Sequence, residues 1–302
     1  MSNELARIGA LPVEVQTLIG KSRADSTLRA YASAIRTFVA WGGTLPTTPT
    51  EACEYIAELV RRERRPPSVR SFVAAVSWWY SLTGQPDPMM DPVVKATVAG
   101  AVRTLGDAES QAAAMTKDEL RTITRWLYAA DDATTATAVL VGFVSGRRGS
   151  EVVGFTVGDV AFANEGATLR LGVTKGDQTG KGSVVALPYS SDPALCPVRA
   201  LRARLIEINA RGRLAERTRL FPMTRATFNR KLKAAAHDAG LPRADRLSSH
   251  SLRAGFITRA AKAGAPEWAI AAQTGHRSIA VLRKYIRSAR LFEDSAAMKL
   301  GL

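Results

Sequence analysis

The chain has 302 residues, about twice the length of an ordinary domain, and its 46% hydrophobic and 23% charged residues are typical of a folded protein. No stretch approaches the roughly 18 consecutive apolar residues of a membrane span, and the N-terminus lacks the pattern of a signal peptide. Cys53 and Cys196 lie far apart, which argues against a disulfide framework and a cysteine-based metal site. We therefore expect a cytoplasmic protein of two domains.

The charge of the chain is strongly unbalanced. Lys and Arg number 42 against 27 Asp and Glu, a formal net charge of +15. Such an excess favours a polyanionic partner, with nucleic acid as the leading candidate. The alternative is a basic soluble protein with no such partner, because charge selects a class of partner and says nothing about chemistry.

The first 105 residues predict a bundle of four or five helices. Segment 25–41 places apolar side chains at helical spacing. The segment from Thr48 to Glu51 combines a capping threonine, a proline at the first helical position and a glutamate three residues after the cap. We expect this helix to run to about Arg62 and to be ended by the two prolines that follow. Further helices are predicted over about 67–83 and 92–104.

Residues 106–115 are small and polar, and they are predicted to be a linker. The segment from Thr116 to Glu119 repeats the capping signature and opens a second domain over 116–302. Its first predicted helix buries Leu120, Ile123 and Leu127, and an apolar helix follows at about 133–145. Two strands are predicted at 167–174 and 183–188. The later helices are predicted to be broken at Gly212, Gly240, Gly264 and Gly275. The predicted fold class is mainly α with a small antiparallel β-sheet, α+β.

Several short motifs of the second domain carry side chains that suit phosphate chemistry. In chain order they are Arg148 and Glu151 in GRRGSE, Lys175 at the end of the first predicted strand, His250 and Arg253 in HSLR, His276 after Gly275, and Tyr285 nine residues later. Each has an ordinary explanation alone: a histidine and an arginine three residues apart on a helix most often form a solvated face. Their order along the chain is what indicates a function.

This series of arginine, lysine, His-x-x-Arg, Gly-His and tyrosine resembles the tyrosine recombinase (phage integrase) family, and the stretch from His250 to Ile286 is similar in layout to its Cre-type members. The resemblance covers nearly the whole chain. It implies a helical core-binding (SAM-like) DNA-binding domain over 1–105, a linker over 106–115 and a catalytic domain over 116–302. Together these would form a C-shaped clamp on double-stranded DNA, in a bacterial or phage-encoded, nucleoid-associated enzyme.

The resemblance also implies an activity and a role for each motif. The activity is site-specific recombination through a 3′-phosphotyrosyl intermediate and a Holliday junction. The implied roles are phosphate binding for Arg148 and Arg253, nucleophile for Tyr285, base for His250, phosphate donor for His276, general acid for Lys175 and orientation of a neighbour for Glu151. Two departures stay open, because Arg147 stands where the family usually has leucine and Lys181 lies in the same connection as Lys175.

The residue types fit this chemistry without the family. Attack on a phosphodiester places extra negative charge on the nonbridging oxygens, and a guanidinium presents a permanently charged planar fork to them. A tyrosine, with a reference pKa of about 10, needs nearby cations or a base to become a nucleophile. A phosphotyrosyl ester retains the bond energy, so no ATP is required. The sequence contains no HExxH, paired cysteines or acidic cluster with ligand spacing, and we expect no metal or other cofactor.

DNA contacts are expected from both domains. Candidate phosphate contacts are Arg61, Arg62, Arg64, Arg65 and Arg70, and the helices near 67–83 and 224–238 are candidates for base readout, the latter with Arg225, Asn229, Arg230 and Lys233. The ordinary explanation for both groups is a solvated helix face. The resemblance implies a homotetramer on two inverted-repeat sites, and residues 291–302 either pack on their own domain or pass to a neighbouring protomer.

Two other functions remain open from the sequence. A type IB topoisomerase-like enzyme uses the same chemistry but reseals the same strand, and it is opposed by the compact first domain. A catalytically silent DNA-binding regulator on the same fold is opposed by the complete set of catalytic positions.

Overall fold

The computed structural model describes residues 13–106, 112–172, 182–276, 278–289 and 300. The chain divides into two compact units, Met1–Ser110 and Gln111–Leu302. No helix among the described residues is long and apolar enough to cross a membrane. Lys175, Lys181, most of the tail over 291–302 and the middle of the predicted linker lie outside the described residues, so the predictions made for them stay predictions.

The first unit is helical throughout its described part, apart from a short 3₁₀ turn at Pro88–Met90. Its helices are α1 (Val13–Lys21), α2 (Asp25–Trp41), α3 (Pro49–Arg61), α4 (Pro66–Thr83) and α5 (Pro92–Leu105). The helix starting signal is confirmed, since the Thr48 hydroxyl accepts a hydrogen bond from the Glu51 backbone N–H at 3.2 Å. The predicted helices of this region are therefore confirmed.

Aromatic side chains form the centre of this first unit. Phe38 of α2, Tyr55 of α3 and Phe72 of α4 are buried, and their ring centroids lie 4.7–5.0 Å apart in edge or tilted contacts. Such contacts add to the stabilisation from apolar burial. They join the three helices into one core, which leaves the arginines after α3 at the surface.

The second unit contains most of the helices and the sheet. Its helices are α6 (Lys117–Ala129), α7 (Ala133–Ser145), α8 (Gly149–Val152), α9 (Pro197–Ala210), α10 (Arg225–Asp238), α11 (Ser249–Lys262), α12 (Glu267–Thr274) and α13 (Ile279–Ala289). The predicted breaks are confirmed, because the four glycines that follow α9 to α12 all have positive φ. The capping box at Thr116 and the burial of its helix are confirmed as well.

The sheet has the strand order β1 (Val160–Phe162), β2 (Gly166–Leu171) and β3 (Ser183–Pro188) within the described chain, and both pairings are antiparallel. The first predicted strand ends at Leu171, earlier than expected, and β1 was not predicted. A strand of three residues following a 3₁₀ turn is too short to show alternation. The inward side chains of β2 and β3 join the main core.

Helix α7 lies at the centre of the second unit. Nearly all its residues are buried, and it packs against α6, α9 and α11. A helix that is apolar on every side is stable only when other elements surround it. It ends at Ser145, and Gly146 caps it directly before Arg147 and Arg148. A helix surrounded by other elements therefore fixes the position from which both arginines extend.

The capping carboxylate of α6 leads to a pH-dependent prediction. Glu119 accepts from the Thr116 backbone N–H at 2.8 Å and from Arg243 Nη2 at 2.8 Å. Burial alone would raise the Glu119 pKa, but these hydrogen bonds and the Arg243 charge outweigh burial and hold the pKa below its ordinary value. The carboxylate therefore stabilises the fold above its unfolded-state pKa of about 4.3, and this contribution is lost as the pH falls through the lower folded-state value.

We expect Glu119→Gln to reduce the free energy of unfolding at pH 7 and to approach the wild type at acid pH. Denaturant unfolding between pH 7 and pH 3 measures this difference. Asp118→Asn is the matched control, because Asp118 lies on the same turn but is 91% exposed. A difference between Glu119→Gln and wild type that stays constant over this pH range would contradict the prediction.

Candidate active site

Two glycines allow α7, α8 and the start of α11 to approach closely. Gly146 has φ of +60°, and a Cβ there would lie 2.8 Å from side-chain atoms of Phe256 and Thr274. A Cβ at Gly149 would overlap the side chain of Ser249. Because the residue at each position lacks a side chain, Arg148 lies beside the helix that carries His250 and Arg253.

Arg148 and Glu151 form a pair at the start of α8. Arg148 Nη1 donates to Glu151 Oε1 at 3.0 Å, and the backbone N–H of Arg148 donates to Glu151 Oε2 at 3.0 Å. The Glu151 side chain is 9% exposed and that of Arg148 is 30% exposed. The carboxylate thus fixes both the backbone and the guanidinium of Arg148 while the guanidinium remains open to solvent.

Arg253 is held by backbone carbonyl groups. Its side chain is buried, with Nη1 donating to the carbonyls of Gly146, at 2.9 Å, and of Thr274. Burial lowers the Arg253 pKa to about 10, and the neighbouring Arg148 charge acts in the same direction. The group therefore stays protonated at neutral pH, and its orientation is fixed before any substrate arrives.

Two neighbours hold the His276 ring in place. The Thr274 hydroxyl donates to the Ile270 carbonyl at 2.6 Å and lies 2.7 Å from His276 Nδ1. Arg253 Nη2 lies 3.0 Å from His276 Nδ1 and 2.9 Å from Nε2, so the guanidinium contacts both nitrogens of the ring. His276 is thus fixed between Thr274 and Arg253.

Electrostatics keep both histidines of the site neutral. Burial lowers the pKa of His276 to about 4, and the charges of Arg253, Arg148 and Arg147 add to this effect. Burial also lowers the pKa of His250, followed by the charges of Arg225, Arg253 and Arg148. An unprotonated His250 can accept a proton at neutral pH.

Tyr285 lies on α13, which packs against α11. Its half-buried side chain packs on a small apolar cluster that includes Ile257 and Leu282. A phenolate at Tyr285 would raise the pKa of Arg253, so the phenol lies within electrostatic reach of that guanidinium. The structure therefore brings Arg148, Glu151, Arg253, His276 and Tyr285 into one neighbourhood, with His250 beside the arginines.

Several residues support the site in roles that were not predicted. The Asn229 side chain accepts from the Ser249 backbone N–H at 2.9 Å, at the start of α11. Gln273 donates to the carbonyls of Val144, at 3.2 Å, and Ala186, at 2.8 Å. Thr274 contacts His276 as described above. Only the position of Gln273 and Thr274 immediately before the Gly-His pair could have drawn attention to them.

The predicted DNA-contact residues have internal partners in several cases. Arg61 and Arg62 both bind the Glu58 carboxylate, and their side chains remain 74% and 50% exposed. Lys233 pairs with Asp245 at 2.8 Å, and Asn229 is engaged with Ser249. Asn229 therefore supports α11 in this structure, a role different from the base readout proposed for it.

The family model described as "Phage integrase family" matches residues 113–291, more than half of the chain. The chain belongs to the phage integrase family, the tyrosine recombinases, and is a site-specific recombinase. The family predicted from the order of motifs and the predicted fold class are both confirmed.

Individual relatives cover most of the chain. An "Integrase/recombinase xerD homolog" of Selenomonas ruminantium is 27% identical over 307 residues, covering 96% of this chain and 89% of the relative. The XerH site-specific recombinase bound to a palindromic difH substrate, in a post-cleavage complex, superposes with a TM-score of 0.62 at 17% identity and covers 84% of this chain and 73% of XerH. A lambda integrase tetramer bound to a Holliday junction gives 0.61 at 16% identity, covering 93% and 75%. At these identities the structures show a shared fold.

Proposed function

We propose that this recombinase cleaves and exchanges DNA strands through a 3′-phosphotyrosyl intermediate formed by Tyr285. The observation that carries the proposal is the arrangement of Arg253: its guanidinium contacts His276, the Arg148 charge acts on it, and the Tyr285 phenol lies within electrostatic reach of it. Two guanidiniums, a neutral imidazole and a phenol in one neighbourhood suit attack on a phosphodiester.

In the first step Tyr285 Oη attacks the phosphorus, and the bond from phosphorus to the 5′-oxygen breaks. The phenolic proton passes to His250, whose lowered pKa leaves it free to accept one. The departing 5′-oxygen takes a proton from Lys175, with Lys181 as the alternative donor. Attack by a second 5′-hydroxyl on the phosphotyrosine reverses these transfers on another strand, so no ATP is consumed, and no step of the proposal uses a metal.

Arg148 and Arg253 bind the nonbridging oxygens in this proposal. Both hydrogens of Arg253 Nη1 point to backbone carbonyls, which leaves the Nε–H and one hydrogen of Nη2 for the phosphate. Arg253 Nη2 lies 2.9–3.0 Å from both ring nitrogens of His276, and the Thr274 hydroxyl lies 2.7 Å from Nδ1. We therefore assign to His276 the orientation of Arg253, together with donation of a hydrogen bond to the phosphate. Glu151 orients Arg148.

We further propose that residues 1–105 bind DNA as a core-binding domain and that 116–302 form the catalytic domain, joined by a linker over 106–115. The net charge of +15 and the exposed arginines near the end of α3 support phosphate contacts. The proposal also includes inverted-repeat target sites and a homotetramer that assembles on two of them. It includes a Holliday junction as an intermediate and association with the nucleoid. The palindromic substrate of XerH and the junction-bound lambda integrase tetramer support it by analogy of fold.

An assay on paired target sites tests recombination against its alternatives. The target is first located as an inverted repeat in the DNA that flanks the gene, and two copies are placed on a supercoiled plasmid. We expect inversion or deletion of the intervening DNA, according to the orientation of the sites. Relaxation of the plasmid without exchange would favour a topoisomerase-like activity, and specific binding without cleavage would favour a silent regulator.

A further inference from the structure

Arg147 is a buried arginine whose environment differs from that of its neighbour Arg148. Its side chain is 3% exposed and lies against the turn that follows α12. Nη2 donates to the Ala272 carbonyl at 3.4 Å, and a Cβ on Gly275 would overlap Nη1. The guanidinium of Arg147 thus packs directly beneath the glycine that precedes His276.

The local partners of Arg147 do not compensate for its burial. Its Nε–H is buried and has no hydrogen-bond partner among the described residues. Burial lowers the Arg147 pKa, and the Arg148 charge lowers it further. The Glu151 charge opposes both effects. The hydrogen bonds found for the Glu151 carboxylate, however, go to Arg148. A buried cation without a hydrogen-bonded carboxylate opposes folding, and apolar replacements of such groups are often neutral or stabilising. Fold stability therefore does not explain this arginine.

We propose that Arg147 is a positioning residue for His276, supporting the Gly275 turn and placing a third positive charge that keeps the imidazole beside Arg253 uncharged. This inference rests on the proposed function. The charged groups that act on His276 are Arg253 from α11 and Arg148 and Arg147 from the segment after α7. The Glu151 carboxylate acts on Arg253, as a phenolate at Tyr285 would, and the Thr274 hydroxyl lies 2.7 Å from His276 Nδ1.

The test uses the full chain with Arg147→Met, which keeps an unbranched side chain of similar reach and removes the charge. The chain has three histidines, so NMR of isotope-labelled histidine follows each imidazole separately between pH 4.5 and pH 8. Arg204→Met is the matched control, because Arg204 is also buried but donates to the Leu220 carbonyl at 2.8 Å and pairs with Glu207 at 2.5 Å.

In Arg147→Met we expect a larger protonated fraction of His276 at pH 5, an unchanged or higher Tm, and strand cleavage slower by about 10- to 100-fold through misplacement of Arg253. Arg204→Met is expected to lower the Tm and to leave the His276 titration unchanged. Arg147→Lys restores the charge without the planar fork, so we expect its His276 titration to return toward that of wild type.

Two results would overturn the inference: a His276 titration unchanged in Arg147→Met, or a Tm that falls while cleavage by the folded protein stays at the wild-type rate. The titration is measured without DNA. A wild-type protein that forms no covalent complex would therefore refute the proposed function separately, whatever the titration shows.

Discussion

Replacing Tyr285 by phenylalanine is expected to abolish covalent attachment to DNA while DNA binding and the fold remain intact. The substitution removes one oxygen, and the ring keeps its packing against the apolar cluster of α11 to α13. Without that oxygen no bond to phosphorus forms, so the expected loss is complete rather than partial. A target-site substrate nicked near the cleavage point traps the wild-type complex, and denaturing gel electrophoresis measures it.

Tyr189→Phe is the matched control for this experiment. Tyr189 follows β3, is 40% exposed, and is not part of the candidate site. The control is expected to trap DNA at the wild-type level. If Tyr285→Phe still became covalently attached, the nucleophile would be another residue and the assignment of Tyr285 would be wrong.

Replacing Arg253 by lysine is expected to slow strand cleavage by about 10²- to 10³-fold, the usual effect of removing one preorganised donor from a transition state. Lysine keeps the positive charge but cannot donate to Gly146, Thr274 and His276 in the same fixed geometry. Single-turnover cleavage of the nicked substrate measures the loss.

The same substitution has a second expected effect on stability. The carbonyls of Gly146 and Thr274 lose a buried donor, at a cost of about 1–3 kcal/mol each if nothing replaces it. Arg259→Lys is the control, since Arg259 lies on the same helix but is exposed. Wild-type cleavage by folded Arg253→Lys would show that the planar fork is not required and would contradict the role given to Arg253.

The elements that the sequence predicts well are those whose determinants are local. The capping box at Thr116, the bounds of α2 and the glycine that ends α12 depend on residues within one or two turns of each other. Strand β1 was missed because its place in the sheet depends on pairing with β2. The local pattern was sufficient for the helices and insufficient for a three-residue edge strand.

In the candidate site, too, the sequence predicts what depends on local pattern and misses what depends on distant partners. Chemical type and order along the chain predict Arg253, His276 and Tyr285, and these assignments stay predictions. The bond from Asn229 to the start of α11 joins residues 20 positions apart, and the contact of Arg147 with the turn after α12 spans more than 120. Such partners are set by tertiary packing, so a single sequence does not indicate them.

The central claim is that Arg148, Arg253 and Tyr285 act on one phosphate, and a structure of the assembled protein–DNA complex trapped on a nicked target site tests it most directly. We predict a phosphotyrosine at Tyr285 in the cleaving protomers, with both guanidiniums within hydrogen-bond distance of that phosphate. A complex in which the Tyr285 phenol lies away from the arginines in every protomer would contradict the account.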